Sequence, residues 1–211
     1  DADGAVTGNT RRFGASLEKI KHVVDVRNGE IMFGLNMVVH KSKTIFVGDT
    51  SVHEYPTSEQ MAKMAISTAR VVRLFGFNPK VAFVSHSTFG QPLTSRTKHI
   101  RKAVDILKEK KVDFEFDGDM QPDVALNAEY EELYPFSKIV GKANILIMPG
   151  QHSAAISYKM MKTLGDTKVI GPLLIGFGLP IEIAPLRSST SEIINLASIA
   201  AYSADVIDYK K

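Results

Sequence analysis

Apolar and polar positions along this chain recur with two periods, and the switches between them mark its elements. From 11 to 24 the apolar residues Phe13, Leu17, Ile20 and Val24 come three or four apart, which predicts an amphipathic helix. Two β-rich runs follow, 30–40 and 44–50, separated by the polar Lys41, Ser42 and Lys43, and they predict a hairpin. Over 56–77, Met61, Met64, Ala65, Thr68, Val72 and Phe75 fall roughly on one helical face. Thr57 and Gln60 have capping-box spacing, and Gly76 suits the C-terminal stop. The short runs 81–86 and 143–150 are apolar throughout, as in buried parallel strands. A strand ending in acids is expected at 114–118. Helices are expected at 96–110, at 123–135 stopped by Pro135, and at 153–165 ending at Gly165. Two extended runs, 171–177 and 179–185, precede a last helix from Ser191 to about Tyr209. Strands alternating with helices from 81 onward indicate an α/β chain with a largely parallel sheet, which the early hairpin makes mixed.

Composition narrows the partners. The 211 residues suit one large domain or two small ones, and 44% hydrophobic content is enough for a real core. Net charge is +3, with the basic residues dispersed. The densest cluster, 108–111, ends a predicted helix, where cations complement the helix dipole. That pattern gives no reason to expect a nucleic-acid partner. Cysteine is absent, which excludes disulfides and thiolate metal sites. No apolar run approaches the roughly 20 residues of a membrane span. Residues 1–10 have neither the basic start nor the apolar segment of a signal peptide. A cytoplasmic location without a membrane partner is expected. The chain does not begin with Met, so it is expected to be part of a longer protein.

Ligands of such sheets bind beyond the carboxyl ends of the strands. In 85–90 the hydroxyls of Ser87 and Thr88 and the backbone at Gly90 can approach an anion, or simply form a turn. Asp117, Asp119 and Asp123 can gather a hard cation, or else Asp119 or Asp123 caps the next helix; their spacing matches no EF-hand. In 148–159 Ser153 is placed to cap a helix with His152 beside its positive end, as a site or as an ordinary helix start. His22, His40, His53, His86 and His99 form no metal-binding spacing. GxxxxGK[ST] and GxGxxG are absent. Finally, Arg187, Ser188, Ser189 and Thr190 join an apolar run to a helix. A guanidinium beside hydroxyls and a helix N-terminus suits a phosphate or carboxylate, and equally a plain helix cap.

Taken in order, 2–8, 56–90, 116–127, 142–149 and 170–176 resemble the phosphate acetyl/butyryltransferases over nearly the whole chain. Segments 9–30, 48–62, 111–127 and 134–165 are especially similar to the branch fused behind a malic enzyme in the large bacterial NADP-dependent malic enzymes. The resemblance implies a two-domain α/β architecture akin to the isocitrate/isopropylmalate dehydrogenase-like fold, with a cleft between domains. Residues 1–180 would form the second, cleft-forming domain. Residues 181–211 would return into the first domain, whose N-terminal part is missing. Active members carry Ser-Arg-Gly before the last helix, followed by an acid. With a one-residue gap Arg187 falls on that arginine, Glu192 near the acid, and Leu186 on the serine. Leucine relays no proton, and losing a positioned acid–base group costs on the order of 10²–10⁴ in rate. Gly150 and Ala155 stand where active members commonly show Asp and Asn.

The implied function is a regulatory, acetyl-CoA-sensing and oligomerising domain without acetyltransferase activity. It would hold acetyl-CoA or a related CoA ester at Arg187, Ser188, Ser189, Ser87, Thr88, Gly90, His152 and Ser153, with no catalytic residue, metal or cofactor of its own. NADP and Mg²⁺ or Mn²⁺ would belong to the parent's malic enzyme domain, which converts malate to pyruvate. A homo-oligomer, dimer or higher, is the expected assembly. The small residues of the last helix suit a core or a dimer seam. An active phosphate acetyltransferase (acetyl-CoA and phosphate to acetyl phosphate and CoA) and a purely structural dimerisation module are the alternatives.

Overall fold

A computed structural model describes residues 2–207. The elements in chain order are β1 (Ala5–Gly8), α1 (Phe13–Lys21), β2 (Phe33–His40), β3 (Lys43–Gly48), α2 (Ser58–Leu74), β4 (Lys80–Val84), α3 (Ser95–Lys110) and β5 (Glu115–Met120). They continue with α4 (Pro122–Leu126), β6 (Ile145–Ile147), α5 (Gln151–Leu164), β7 (Thr167–Ile175), β8 (Ile181–Ala184) and α6 (Thr190–Val206). Six strands form one mixed sheet in the order β5-β4-β6-β3-β2-β7. The first four run parallel, and β2 is antiparallel to both β3 and β7. The expected hairpin is β2–β3. The two all-apolar runs are the central strands β4 and β6, covered on both faces.

One face packs under α2, α3 and α6, around Phe33, Leu35, Phe83, Met61, Met64 and Leu107. The other packs under α4 and α5, around Val47, Val84, Met120 and Ile139. A separate two-stranded parallel sheet pairs β1 with β8, so the first and last strands of the chain lie side by side. Thr57 and Gln60 form the expected capping box of α2, and Gly76 adopts a left-handed φ of 81° just past its end. Among the described residues no helix is long and apolar enough to cross a membrane.

Three expectations need correction. The helix expected over 123–135 stops at Leu126, because the Asn127 side chain accepts the Glu129 amide at 3.1 Å and opens a 3-10 turn, Ala128–Tyr130. Neither Asp119 nor Asp123 caps α4; the cap position is Gln121, with Pro122 in the first turn. Helix α6 begins at Thr190, one residue earlier than expected. Residues 208 and 209 of that expected helix lie outside the described residues.

Candidate functional site

Because β3, β4, β5 and β6 run parallel, the stretches 49–54, 85–90, 121–123 and 148–153 leave the same edge of the sheet. At that edge the expected anion cradle is already filled. Gly118 has φ 150°, and a Cβ there would stand 2.7 Å from the Phe83 carbonyl oxygen, so only glycine lets β5 pass this close to β4. The next residue, Asp119, is fully buried. Its carboxylate accepts the Gly90 amide at 3.0 Å and the Ser87 hydroxyl, while its carbonyl accepts the Phe89 amide at 2.6 Å. Thr88 Oγ1 accepts the Gln121 amide at 3.2 Å. Ser87, Thr88 and Gly90 are therefore buried and bonded to the chain itself. A buried carboxylate needs such donors.

The three aspartates do not converge. Asp117 accepts the Gly118 amide at 2.9 Å, Asp119 points inward, and Asp123 accepts the Tyr130 hydroxyl at 3.2 Å. No group of three or more His, Asp or Glu able to hold a metal occurs among the described residues.

The loop after β3 holds a dyad that the histidine spacing did not reveal. Asp49, fully buried, accepts the amides of Gly34 (3.0 Å), Ser51 (2.8 Å), Val52 (3.0 Å) and His53 (2.7 Å). Its Oδ2 also lies 2.7 Å from His53 Nδ1. A carboxylate only accepts, so the His53 ring carries a hydrogen on Nδ1. The His53 carbonyl accepts the first amide of α5, that of Gln151, at 3.0 Å. The exposed His152 places Nε2 3.2 Å from Glu54 Oε1. Ser153 does not cap α5: Gly150 is the cap residue, and the Ser153 hydroxyl donates to its carbonyl at 2.8 Å.

The elbow at 185–192 is elsewhere. Ser189 is the cap of α6, in a capping box with Glu192. The Ser188 hydroxyl donates to the Pro185 carbonyl at 2.8 Å. Arg187 has a left-handed φ of 62°, and its amide donates to the Asn9 carbonyl at 3.2 Å. Its exposed guanidinium has no hydrogen bond or ion pair with any described residue. Leu186 is 54% exposed. Glu192 Oε1 accepts from Lys162 Nζ at 2.9 Å, and Oε2 accepts the Ser189 amide at 2.8 Å and hydroxyl at 3.0 Å. The Lys162 ammonium, then the Ser189 amide, hold the Glu192 carboxyl down at about 2.

A depressed carboxyl stabilises the fold above its unfolded pKa and loses that contribution as pH falls through the folded one. The Tm advantage over Glu192→Gln is therefore expected to be fullest at neutral pH and to shrink from about pH 4.5 towards pH 2, readable in thermal melts across that window.

Lys162 lies ten residues along α5 from His152, about 15 Å at 1.5 Å per residue. The elbow and the strand-end loops are thus two separate places in this chain. Of the eight residues expected to line one site, Ser87, Thr88 and Gly90 are occupied by Asp119 and its neighbours. His152 and Ser153 stand at one end of α5, and Arg187, Ser188 and Ser189 lie beside the other.

Residues 1–201 match the family model described as phosphate acetyl/butaryl transferase. The chain is 45% identical over 204 residues to an NADP-dependent malic enzyme of Rhizobium meliloti, covering 97% of this chain and 27% of that protein. It is 30% identical over 211 residues to a phosphate acetyltransferase of Clostridium acetobutylicum, covering 63% of it. A phosphotransacetylase structure from Streptococcus pyogenes superposes with a TM-score of 0.91 at 28% identity, over 97% of this chain and 63% of that one. The chain spans about a quarter of the length of the malic enzymes it matches.

Proposed function

The chain belongs to the phosphate acetyl/butaryl transferase family, and on that premise we propose that it is the CoA-ester-binding, regulatory part of an NADP-dependent malic enzyme and does not itself transfer acetyl groups. The longer protein would oxidatively decarboxylate malate to pyruvate, with NADP and a divalent cation held by its malic enzyme part. It would work in the cytoplasm as a homo-oligomer. In this reading 1–180 form the cleft-facing unit and 181–211 return into a second one. The 45% identity to a malic enzyme supports the parentage.

The state of Glu192 carries the claim about chemistry. Moving an acetyl group from CoA to phosphate, or back, needs a group that takes and returns the thiol proton. The one acid of the elbow is held near pKa 2 by Lys162 and Ser189, so it is a weak base at neutral pH. Leu186 adds no hydroxyl. Arg187 has no hydrogen bond or ion pair for its guanidinium among the described residues and stands at the positive end of α6, which suits the anionic part of a ligand. Charged hydrogen bonds of that kind contribute roughly 1.5–3 kcal/mol each. A micromolar ligand needs about 8 kcal/mol, so the rest of a CoA ester must find other contacts.

A thioester assay on the full-length protein with acetyl-CoA and phosphate or arsenate tests the reading. No CoA release above background is expected. Turnover that disappears in Arg187→Ala would instead establish a working acetyltransferase.

A further inference from the structure

Strand β6 lies between β4 and β3, and the three part company at their carboxyl ends. The chain leaves β6 for α5 on one face of the sheet, but leaves β4 and β3 for α3 and α2 on the other. Open α/β sheets bind ligands in the crevice outside such a point. A cavity of about 330 Å³ occupies it here. Tyr55 and Pro56 come from the loop between β3 and α2, Pro149 from the end of β6, and Ser95, Arg96 and His99 from the start of α3.

Tyr55 is 66% exposed, and with Pro56 and Pro149 it offers flat apolar surface to a ring. The Arg96 guanidinium lies over the Tyr55 ring, 5.0 Å from its centre, and has no hydrogen bond or ion pair with any described residue. His99 is committed to the chain. Its Nε2 donates to the Pro56 carbonyl at 2.9 Å, and its Nδ1 lies 3.1 Å from the Ser58 hydroxyl. It ties α3 to the loop and holds the crevice in shape, leaving the cationic role to Arg96.

Charge around Arg96 is unbalanced. Over 95–104 helix α3 carries Arg96, Lys98, Arg101 and Lys102 and no acid, although cations at a helix start oppose its dipole. Lys102 pairs with Glu59 at 3.4 Å, and Arg101 donates to the Phe89 carbonyl at 3.1 Å. Arg96 and Lys98 have no carboxylate partner among the described residues.

We propose that this crevice binds a mononucleotide, with its base against Tyr55 and the two prolines and its phosphate on Arg96. Small-molecule sites begin at about 300 Å³, so the crevice takes a mononucleotide and not a whole CoA ester. A phosphate dianion offsets the cations of α3, and a guanidinium can hold it through two parallel hydrogen bonds. The base adds stacking of the kind that tyrosines supply to single-stranded nucleic acids. Pro149 precedes α5, whereas Glu192 of the elbow bonds Lys162 near its other end. The proposal therefore does not depend on the CoA-ester reading.

AMP is the probe, titrated by calorimetry into the full-length protein with NADP in excess to fill any dinucleotide site. AMP binds with a Kd below about 1 mM, and excess acetyl-CoA does not displace it. Adenosine, which lacks the phosphate, and ribose 5-phosphate, which lacks the base, each bind at least about 10-fold more weakly. Arg96→Ala weakens AMP binding by about 10- to 100-fold and Tyr55→Ala by about 10-fold. No AMP binding at about 1 mM overturns the proposal. Adenosine or ribose 5-phosphate binding as tightly as AMP overturns it too, as does affinity unchanged in Arg96→Ala. Displacement by acetyl-CoA also overturns it, because AMP then occupies the CoA-ester site. Both side chains are exposed, so the variants keep the wild-type Tm. If Tyr55→Ala does not fold, Arg96→Ala decides.

Discussion

Replacing Asp49 by alanine is expected to remove most of the stability of this fold. Four backbone amides and the Nδ1–H of His53 converge on that one buried carboxylate. Each buried donor left without a partner costs about 1–3 kcal/mol, so the loss is on the order of 4 kcal/mol or more. A domain of this size is typically stable by roughly 5–15 kcal/mol. The loop from Asp49 to His53 also bonds the first amide of α5 through the His53 carbonyl, so that junction loosens as well. Urea denaturation followed by circular dichroism reads the effect as a fall in the midpoint with little change in slope. Asp49→Asn keeps the shape and part of the acceptor set, and should lie between wild type and Asp49→Ala. A loss below about 1 kcal/mol for the alanine variant would mean that the four amides find other acceptors.

The second large effect concerns the elbow. If Arg187 holds the anionic part of a CoA ester, Arg187→Ala should weaken acetyl-CoA binding by about 10- to 100-fold, which is what one charged hydrogen bond amounts to. Arg187→Lys should recover only part of this, because an ammonium cannot reproduce the planar fork of a guanidinium. Leu186→Ser restores the missing hydroxyl in the aligned position, yet it should not restore turnover, since Glu192 stays bonded to Lys162 and Ser189. Binding titrations of the full-length variants, paired with the thioester assay, separate the two effects. Unchanged affinity in Arg187→Ala removes the elbow from the binding site.

Much of this architecture could be read from periodicity, because its signals are local. The 3.6-residue pattern of α2 and its capping box lie within one segment, as do the apolar runs of β4 and β6. The region after Leu126 was not legible in the same way. Asn127 satisfies the backbone locally, and Tyr134 and Phe136 leave the helix to pack on Phe89, with ring centroids 5.3 and 4.8 Å away.

The site was harder to read. The 85–90 loop looked like an anion cradle, and it is one, but the anion is Asp119, at least 29 positions further along the chain. Nothing local announces that pairing. Nor does the sequence announce that Lys162 meets Glu192 from 30 residues away. The cap at Ser189 is legible as a serine three residues before a glutamate. The four-residue spacing of Asp49 and His53 was visible too, but only the turn after β3 shows that it closes a hydrogen bond.

Calorimetry of the full-length protein in phosphate buffer, titrated with acetyl-CoA, tests the central claim most directly. The account predicts a saturable heat of binding after which the power returns to baseline, because the ester is held and not consumed. Sustained heat with release of CoA, or no heat of binding at all, would contradict it.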